Sequence, residues 1–162
     1  MSIQTQTDAA RGSTNPLFND TKLKLGTFST NLSGGCTISS ADGVLKLDWQ
    51  NTRTLAELAE DMEFEALVPV GRWKGFGGET NFNGDGFESY TWAAGISAFN
   101  QKSSIFATSH VPTVHPCMAA KQGMTIDHVS GGRFTLNIVC GWFKPEIEMF
   151  GHLILERDRR YE

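Results

Sequence analysis

Apolar and polar residues are arranged along this chain in short blocks whose period switches between that of a strand and that of a helix. Residues 22–28 (KLKLGTF) alternate and then run apolar, which predicts a first strand. Residues 31–48 are loop-like, broken by Gly34, Gly35 and Gly43. Asp48 is placed to cap a helix running to about Met62, with Leu55, Leu58, Ala59 and Met62 as its apolar face. Residues 66–70 form a short apolar run of strand type, although Pro69 lacks a ladder donor. The glycine-rich stretch 71–86 predicts a long loop. A second helix is predicted over 88–99, with Trp92, Ile96 and Phe99 on one face, and a third strand over 104–108. Pro116 sits where a helix favours proline, and Cys117, Ala120 and Met124 repeat at i, i+3, i+7. Gly131 and Gly132 end that helix. Residues 133–139 (RFTLNIV) predict a fourth strand, and 152–155 is a weaker strand candidate.

The order β, α, β, α, β, α, β implies right-handed crossovers and a parallel sheet. The short apolar strands are those expected when both faces are covered. Two α/β architectures satisfy this order: a doubly wound sheet and a TIM (β/α)8 barrel. A barrel takes roughly 250 residues, so four βα units in 162 residues amount to about its first half. The composition does not tail off towards Arg160, Tyr161 and Glu162, which reads as a cut. The expected organisation is a flexible polar leader over 1–20 followed by a truncated barrel over 21–162.

Composition narrows the function. The chain carries 14 Lys and Arg against 18 Asp and Glu, a formal charge of −4, and is 40% hydrophobic. Without a basic block, nucleic acid is not an expected partner. No apolar run is long enough to span a membrane, and the polar start carries no secretory signal pattern. Cys36, Cys117 and Cys140 form no CxxC pair, so neither a metal site nor a dithiol is expected. Three cysteines without an export signal fit free thiols in a reducing cytoplasm.

Phosphate motifs fail: GxxxxGK[ST] is absent, and GFGGETNFNGDG does not open a helix as GxGxxG does. An ordinary surface loop is its first reading, an active-site loop its second. His110 and His115 lack a companion carboxylate at helical spacing and read as loop or helix-start histidines. Position says more. Ligands of α/β sheets and barrels sit beyond the carboxyl ends of the strands, and those ends offer Arg72, Thr108 and Asn137. A guanidinium, a hydroxyl and an amide on one rim can hold an anion and stabilise developing charge. The alternative is that Thr108 and Asn137 only satisfy local backbone groups. Taken alone, Arg160 and Tyr161 read as a solvated face.

One long run carries a resemblance. It comprises Ala119-Ala120-Lys121-Gln122, Thr125-Ile126-Asp127-His128, Ser130-Gly131-Gly132-Arg133, Asn137-Ile138-Val139, Gly141-Trp142 and Pro145-Glu146. Weaker pieces are Asn31-x-Ser33-Gly34-Gly35, Gly75-Phe76-Gly77-Gly78, Trp142-Phe143 and Asp158-x-Arg160-Tyr161. Across about residues 22–162 the chain resembles the bacterial luciferase-like, FMN-dependent monooxygenases. The nearest pattern is the branch of dimethyl sulfone, alkanesulfonate and pyrimidine monooxygenases.

The resemblance implies a TIM barrel, reduced FMN as cosubstrate, and molecular oxygen that delivers one atom to a small organic substrate. It places sulfones and sulfonates first as substrates and a separate NAD(P)H-dependent flavin reductase as partner. It also implies roles for particular residues. Arg72, Thr108, Asn137, Glu146, Arg160 and Tyr161 match cofactor-binding positions, and Thr108 with Asn137 match the catalytic edge where oxygen binds. His115 lies near the same rim with a weaker claim to a role. Phe28 and Trp142 read as core packing before ring-walling. The missing second half keeps an alternative open: an inactive fragment, or a non-catalytic flavin-binding protein. Its unclosed sheet edge would favour a homo-oligomer.

Overall fold

A computed structural model describes residues 12–161. Part of the polar leader expected over 1–20, residues 1–11, lies outside the described residues. In the rest of that stretch, Asn15 is buried and caps a 3-10 turn, Pro16–Phe18, by accepting from the Leu17 backbone N–H.

The elements alternate as their periods predict. They run β1 (Gly26–Phe28), α1 (Trp49–Asp61), β2 (Ala66–Val68), α2 (Ser89–Ser97), β3 (Ser104–His110), α3 (Pro116–Ser130), β4 (Phe134–Val139) and α4 (Lys144–Met149). A 3-10 turn, Asp158–Arg160, follows. Residues 152–155 form no strand, contrary to the weaker candidate there. Strand β1 is also shorter than expected, beginning only at Gly26; just before it the Leu25 carbonyl accepts from the Glu65 and Ala66 N–H groups and its own N–H donates to the Glu65 carboxylate.

The four strands are parallel and lie in chain order, β1-β2-β3-β4. That order decides between the two architectures. A doubly wound sheet reverses direction at a switch point, whereas this one adds each strand beside the last. Right-handed crossovers of constant sense put the three crossover helices, α1 to α3, on one face. The fold is therefore a run of four strands of the α/β barrel type.

The register assigns the faces. Leu67, Ile105 and Phe134 lie opposite one another in successive strands. With Ala107 they point to the helices, where Trp92, Ala93, Ile96 and Ile126 complete the core. The alternate residues, Phe28, Val68, Phe106, Thr108, His110, Asn137 and Val139, line the other face. Phe28 there is 58% exposed, so this sheet is not covered on both sides, unlike the expectation from its apolar strands.

Two helix faces differ from the expected stripes. Asp48 caps α1 as predicted, accepting from the Asn51 N–H at 2.7 Å. The buried face, however, is Thr52, Ala56 and Ala59, while Leu58 and Met62 are exposed. In α3 the buried set is Gly123, Ile126 and Ser130, not Cys117 and Met124. The reason is proximity. A Cβ on Gly123 would lie 2.9 Å from the Phe134 ring, so only a small residue lets the helix settle on the sheet.

The Ser130-Gly131-Gly132-Arg133 stretch lies at the opposite end of the sheet from the rim. Gly131 adopts a left-handed conformation (φ 65°) that ends α3. Arg133 is buried and donates to the Ser103 and Asn100 carbonyls at 2.6 and 2.7 Å. Its guanidinium thus ties the segment before β4 to the segment before β3. Burial lowers its pKa from the usual value, and Glu60 opposes the shift.

Candidate active site

Beyond the carboxyl ends of the strands lies a cleft of about 480 Å³, within the usual range for small-molecule sites. The loop after β1 forms one wall. Ser29 takes a left-handed backbone (φ 65°), and its hydroxyl donates to the Gly35 carbonyl at 3.0 Å. Asn31 is fully buried and accepts from Val70 N while donating to the Val70 and Phe87 carbonyls. One side chain thereby fastens the loop after β1 to the segments after β2 and before α2.

The glycine-rich stretch 71–86 forms the facing wall, which overturns its first reading as an ordinary surface loop. It is fastened to residues 31–35 by a bridge between Leu32 and Gly86 and by Asn83, whose amide donates to the Ser33 and Gly35 carbonyls. Phe76 stacks on Phe82 and on Trp142, with centroids 5.6 and 5.9 Å apart. Gly71 passes β3 closely: a Cβ there would lie 3.1 Å from the Thr108 carbonyl oxygen.

The structure brings Arg72, Thr108 and Asn137 to one cleft, together with Phe28 and Trp142. Their states differ from those of free ligand-binding groups. The Arg72 side chain pairs with Glu146 at 3.0 Å, both buried, under the rings of Phe76, Phe143 and Trp142 at 4.6–5.5 Å. Glu146 also accepts from the backbone N–H groups of Trp73 and Lys74, at 2.6 and 3.3 Å. Its carboxylate therefore holds the start of the loop, and the charge of Arg72 is already matched. Thr108 is likewise engaged. Its hydroxyl donates to the Pro69 carbonyl at 2.5 Å and accepts from the Asn137 amide at 3.1 Å. Among the described residues the Asn137 Oδ1 has no partner, so this amide is the open polar edge beside β3.

Arg160 reaches the rim indirectly, donating to the Gly141 carbonyl. Its Nε is buried without a partner, as is that of Arg72. Tyr161 is 73% exposed and lies outside the cleft. His115 caps α3 by accepting from the Cys117 N–H at 3.2 Å, the helix-start role read from sequence.

His110, read from sequence as a loop or helix-start histidine, is instead the last residue of β3 and lines the cleft. It follows Thr108 by two on β3 and so faces the same way, opposite Val139. Burial holds its pKa below the ordinary histidine value, Glu146 partly offsets that shift, and Arg72 adds to it. The imidazole is thus neutral at pH 7. A longer reading of the third strand, extended by the period-2 pattern to residue 110, is the signal that would have found it.

The cleft can seat a flat, largely apolar ring system against aromatic walls, with Asn137 at its polar edge. Apolar residues line most of it, and Arg72, whose Nε has no partner, is also in the lining. The described residues fit a flavin in that respect. No helix among them is long and apolar enough to cross a membrane.

Fold and cleft together define a protein of the α/β-barrel type with a candidate site at the strand carboxyl ends. Residues 23–162 match the luciferase-like monooxygenase family model, and the chain belongs to that family. It is 36% identical over 129 residues to the pyrimidine monooxygenase RutA of Serratia proteamaculans, matching 80% of this chain and 35% of that protein. The chain spans about a third of the length of the curated relatives it matches. Its fold resembles that of EDTA monooxygenase (EmoA) from Chelativorans sp. BNC1, with a TM-score of 0.74 and 21% identity, covering 85% of this chain and 33% of that one. It also resembles the oxygenating constituent of 3,6-diketocamphane monooxygenase from Pseudomonas putida, solved in complex with FMN. There the TM-score is 0.57 at 13% identity, covering 80% and 33% of the respective chains.

Proposed function

We propose that residues 21–162 form the first part of an FMN-dependent monooxygenase barrel, and that its cleft holds the reactive edge of the flavin. The observation that carries this reading is the Asn137–Thr108 pair, an open amide braced by a hydroxyl held from two sides inside a largely apolar cleft. Reduced FMN would supply the electrons that activate oxygen. A separate NAD(P)H-dependent flavin reductase is the natural source of that cofactor.

The protein's own part is positioning and electrostatics. Thr108 cannot turn, because Pro69 and Asn137 both hold its hydroxyl, so the Asn137 amide is fixed in direction. Its second N–H is available to donate to oxygen as negative charge develops there, which preorganised donors do without reorganising. Phe28, Val139 and Trp142 offer apolar surface beside it. Glu146 serves this site by holding Arg72 and the loop that carries Phe76. Arg160 and Tyr161 would meet the cofactor's polar tail, Arg160 through the Gly141 segment.

The lining also speaks to substrate. Arg72 is the only Lys or Arg among the described residues that line the cleft, and Glu146 neutralises it. An anionic sulfonate would find no unmatched cation there. A small uncharged molecule is favoured, and the RutA relatives make a pyrimidine-type heterocycle the first choice, ahead of a neutral sulfone. The free thiols at Cys36, Cys117 and Cys140 suit a reducing cytoplasm.

The test is anaerobic titration of the full-length protein with reduced FMN, followed by oxygen and substrate. Asn137→Leu is expected to bind FMN within about threefold of the parent and to lose about 100-fold in product formation, the scale set by removing one preorganised donor. Parent-like turnover in this variant would overturn the reading.

A further inference from the structure

Resting on the reading above, we propose that His110 determines substrate specificity in this cleft, its imidazole hydrogen-bonding the polar edge of an uncharged planar substrate that presents adjacent N–H and C=O groups.

The inference starts from which polar groups are already spent. The Ser29 hydroxyl donates to Gly35, both amide hydrogens of Asn83 go to carbonyls, the Thr108 hydroxyl donates to Pro69 and accepts from Asn137, and the Arg72 guanidinium is tied to Glu146, its unpartnered Nε buried. Neither ring nitrogen of His110 has a hydrogen-bond partner among the described residues, although the ring is partly buried. A neutral imidazole offers one donor and one acceptor. That is the complement of an amide-like edge.

Register supplies the geometry. Thr108 lies opposite Asn137, and His110 lies opposite Val139, one layer further towards the mouth. A ligand resting over the Asn137–Thr108 pair therefore meets His110 on its outer side, between Val139 and the loop that begins at Gly71. Gly71 runs beside the ring: a Cβ there would touch the His110 imidazole at 3.5 Å, an ordinary contact distance. The charged groups facing the ring are Arg72 and Glu146, paired with each other, while Glu88 shares a small gap with it and caps α2. None neutralises or recruits the imidazole by direct bonding. The ring's neutrality, enforced mainly by burial, suits an uncharged partner. A buried donor or acceptor left unmatched is penalised, so a ligand lacking the complementary edge is rejected as well as unrewarded.

Uracil, a pyrimidine with adjacent N–H and C=O groups, is the probe, and dimethyl sulfone and methanesulfonate are the contrasts. Binding to the full-length protein saturated with FMN is measured by titration calorimetry, with FMN affinity measured separately. The expected result is uracil binding by the parent, a rise in Kd of about tenfold or more in His110→Leu, and retention within about threefold in His110→Gln, which keeps a donor and an acceptor without titrating. FMN affinity stays within about twofold in both. In turnover, His110→Leu raises KM for uracil far more than it lowers kcat. Unchanged uracil binding in His110→Leu overturns the proposal, and so does an equal loss of FMN affinity, which would make His110 a cofactor contact. A parent that binds FMN but prefers dimethyl sulfone or methanesulfonate overturns the substrate class alone. A parent that binds no FMN overturns the functional reading, and this inference with it.

Discussion

Replacing Glu146 asks whether one carboxylate holds the wall of the cleft. Glu146 is 1% exposed. It accepts from Arg72 at 3.0 Å and from the backbone N–H groups of Trp73 and Lys74. Glu146→Ala strands a guanidinium whose Nε already lacks a partner. Removing one member of a buried pair costs about 3–5 kcal/mol. The two orphaned N–H groups add to this, at about 1–3 kcal/mol each if they stay dry. Water entering the freed loop offsets part of the sum, so a loss of about 4 kcal/mol is expected. Glu146→Gln keeps an acceptor for Trp73 but turns its NH2 towards Arg72, and should cost about 2 kcal/mol. Urea denaturation read by tryptophan fluorescence measures both. Arg72→Met completes a double-mutant cycle, in which the double variant should be more stable than the summed singles by at least about 1.5 kcal/mol. A loss below about 1 kcal/mol for Glu146→Ala at unchanged m would refute the clamp.

Two further outcomes follow from buried groups. Arg133→Met leaves the Asn100 and Ser103 carbonyls without their donor. It should destabilise by about 2–4 kcal/mol, on the scale of unsatisfied buried acceptors, while leaving FMN affinity unchanged; a parent-like melting curve would contradict the tie described for it. The pH dependence of stability carries the sign of His110. Its folded pKa lies below the ordinary 6.5, so between those values the unfolded chain binds more protons. Stability then falls as pH drops through about 6.5 towards the folded value and is level, for this group, below it. His110→Gln should flatten that stretch of the curve, and an unaltered slope in the variant would count against the assignment.

The alternation of elements was legible because each period is local. Asp48, Pro116 and Gly131 mark helix ends through chemistry within one turn, and the structure uses all three. The face of α2, with Trp92, Ile96 and Phe99, was legible, as was Ala59 of α1; the rest of the α1 and α3 faces was not, since they bury Thr52, Ala56 and Gly123 for their smallness, while Leu58 and Met124 face solvent. Hydrophobic periodicity scores apolarity and is blind to close approach. The rim formed by Arg72, Thr108 and Asn137 followed from strand polarity alone. That Arg72 is spent on Glu146 could not, because the partners lie 74 positions apart. His110 had no motif around it; only the register of β3 against β4 turns it into the cleft. The resemblance covered more of the chain than any spacing did, yet much of its strongest run, around Ser130 and Arg133, ties the far end of the sheet.

The same Arg72–Glu146 separation has a consequence for how the molecule comes together. Contacts between α2 and β3, or between β3 and β4, join near neighbours along the chain and close short loops. The clamp on residues 72–74 must wait until β4 and α4 have docked, because its loop spans 74 positions and distant pairings are rewarded only after their closure entropy is met. The cleft wall is thus the last region to acquire shape. A ligand that fits it recognises only a nearly finished molecule: it slows unfolding of the completed state and leaves the rate of the early steps unchanged.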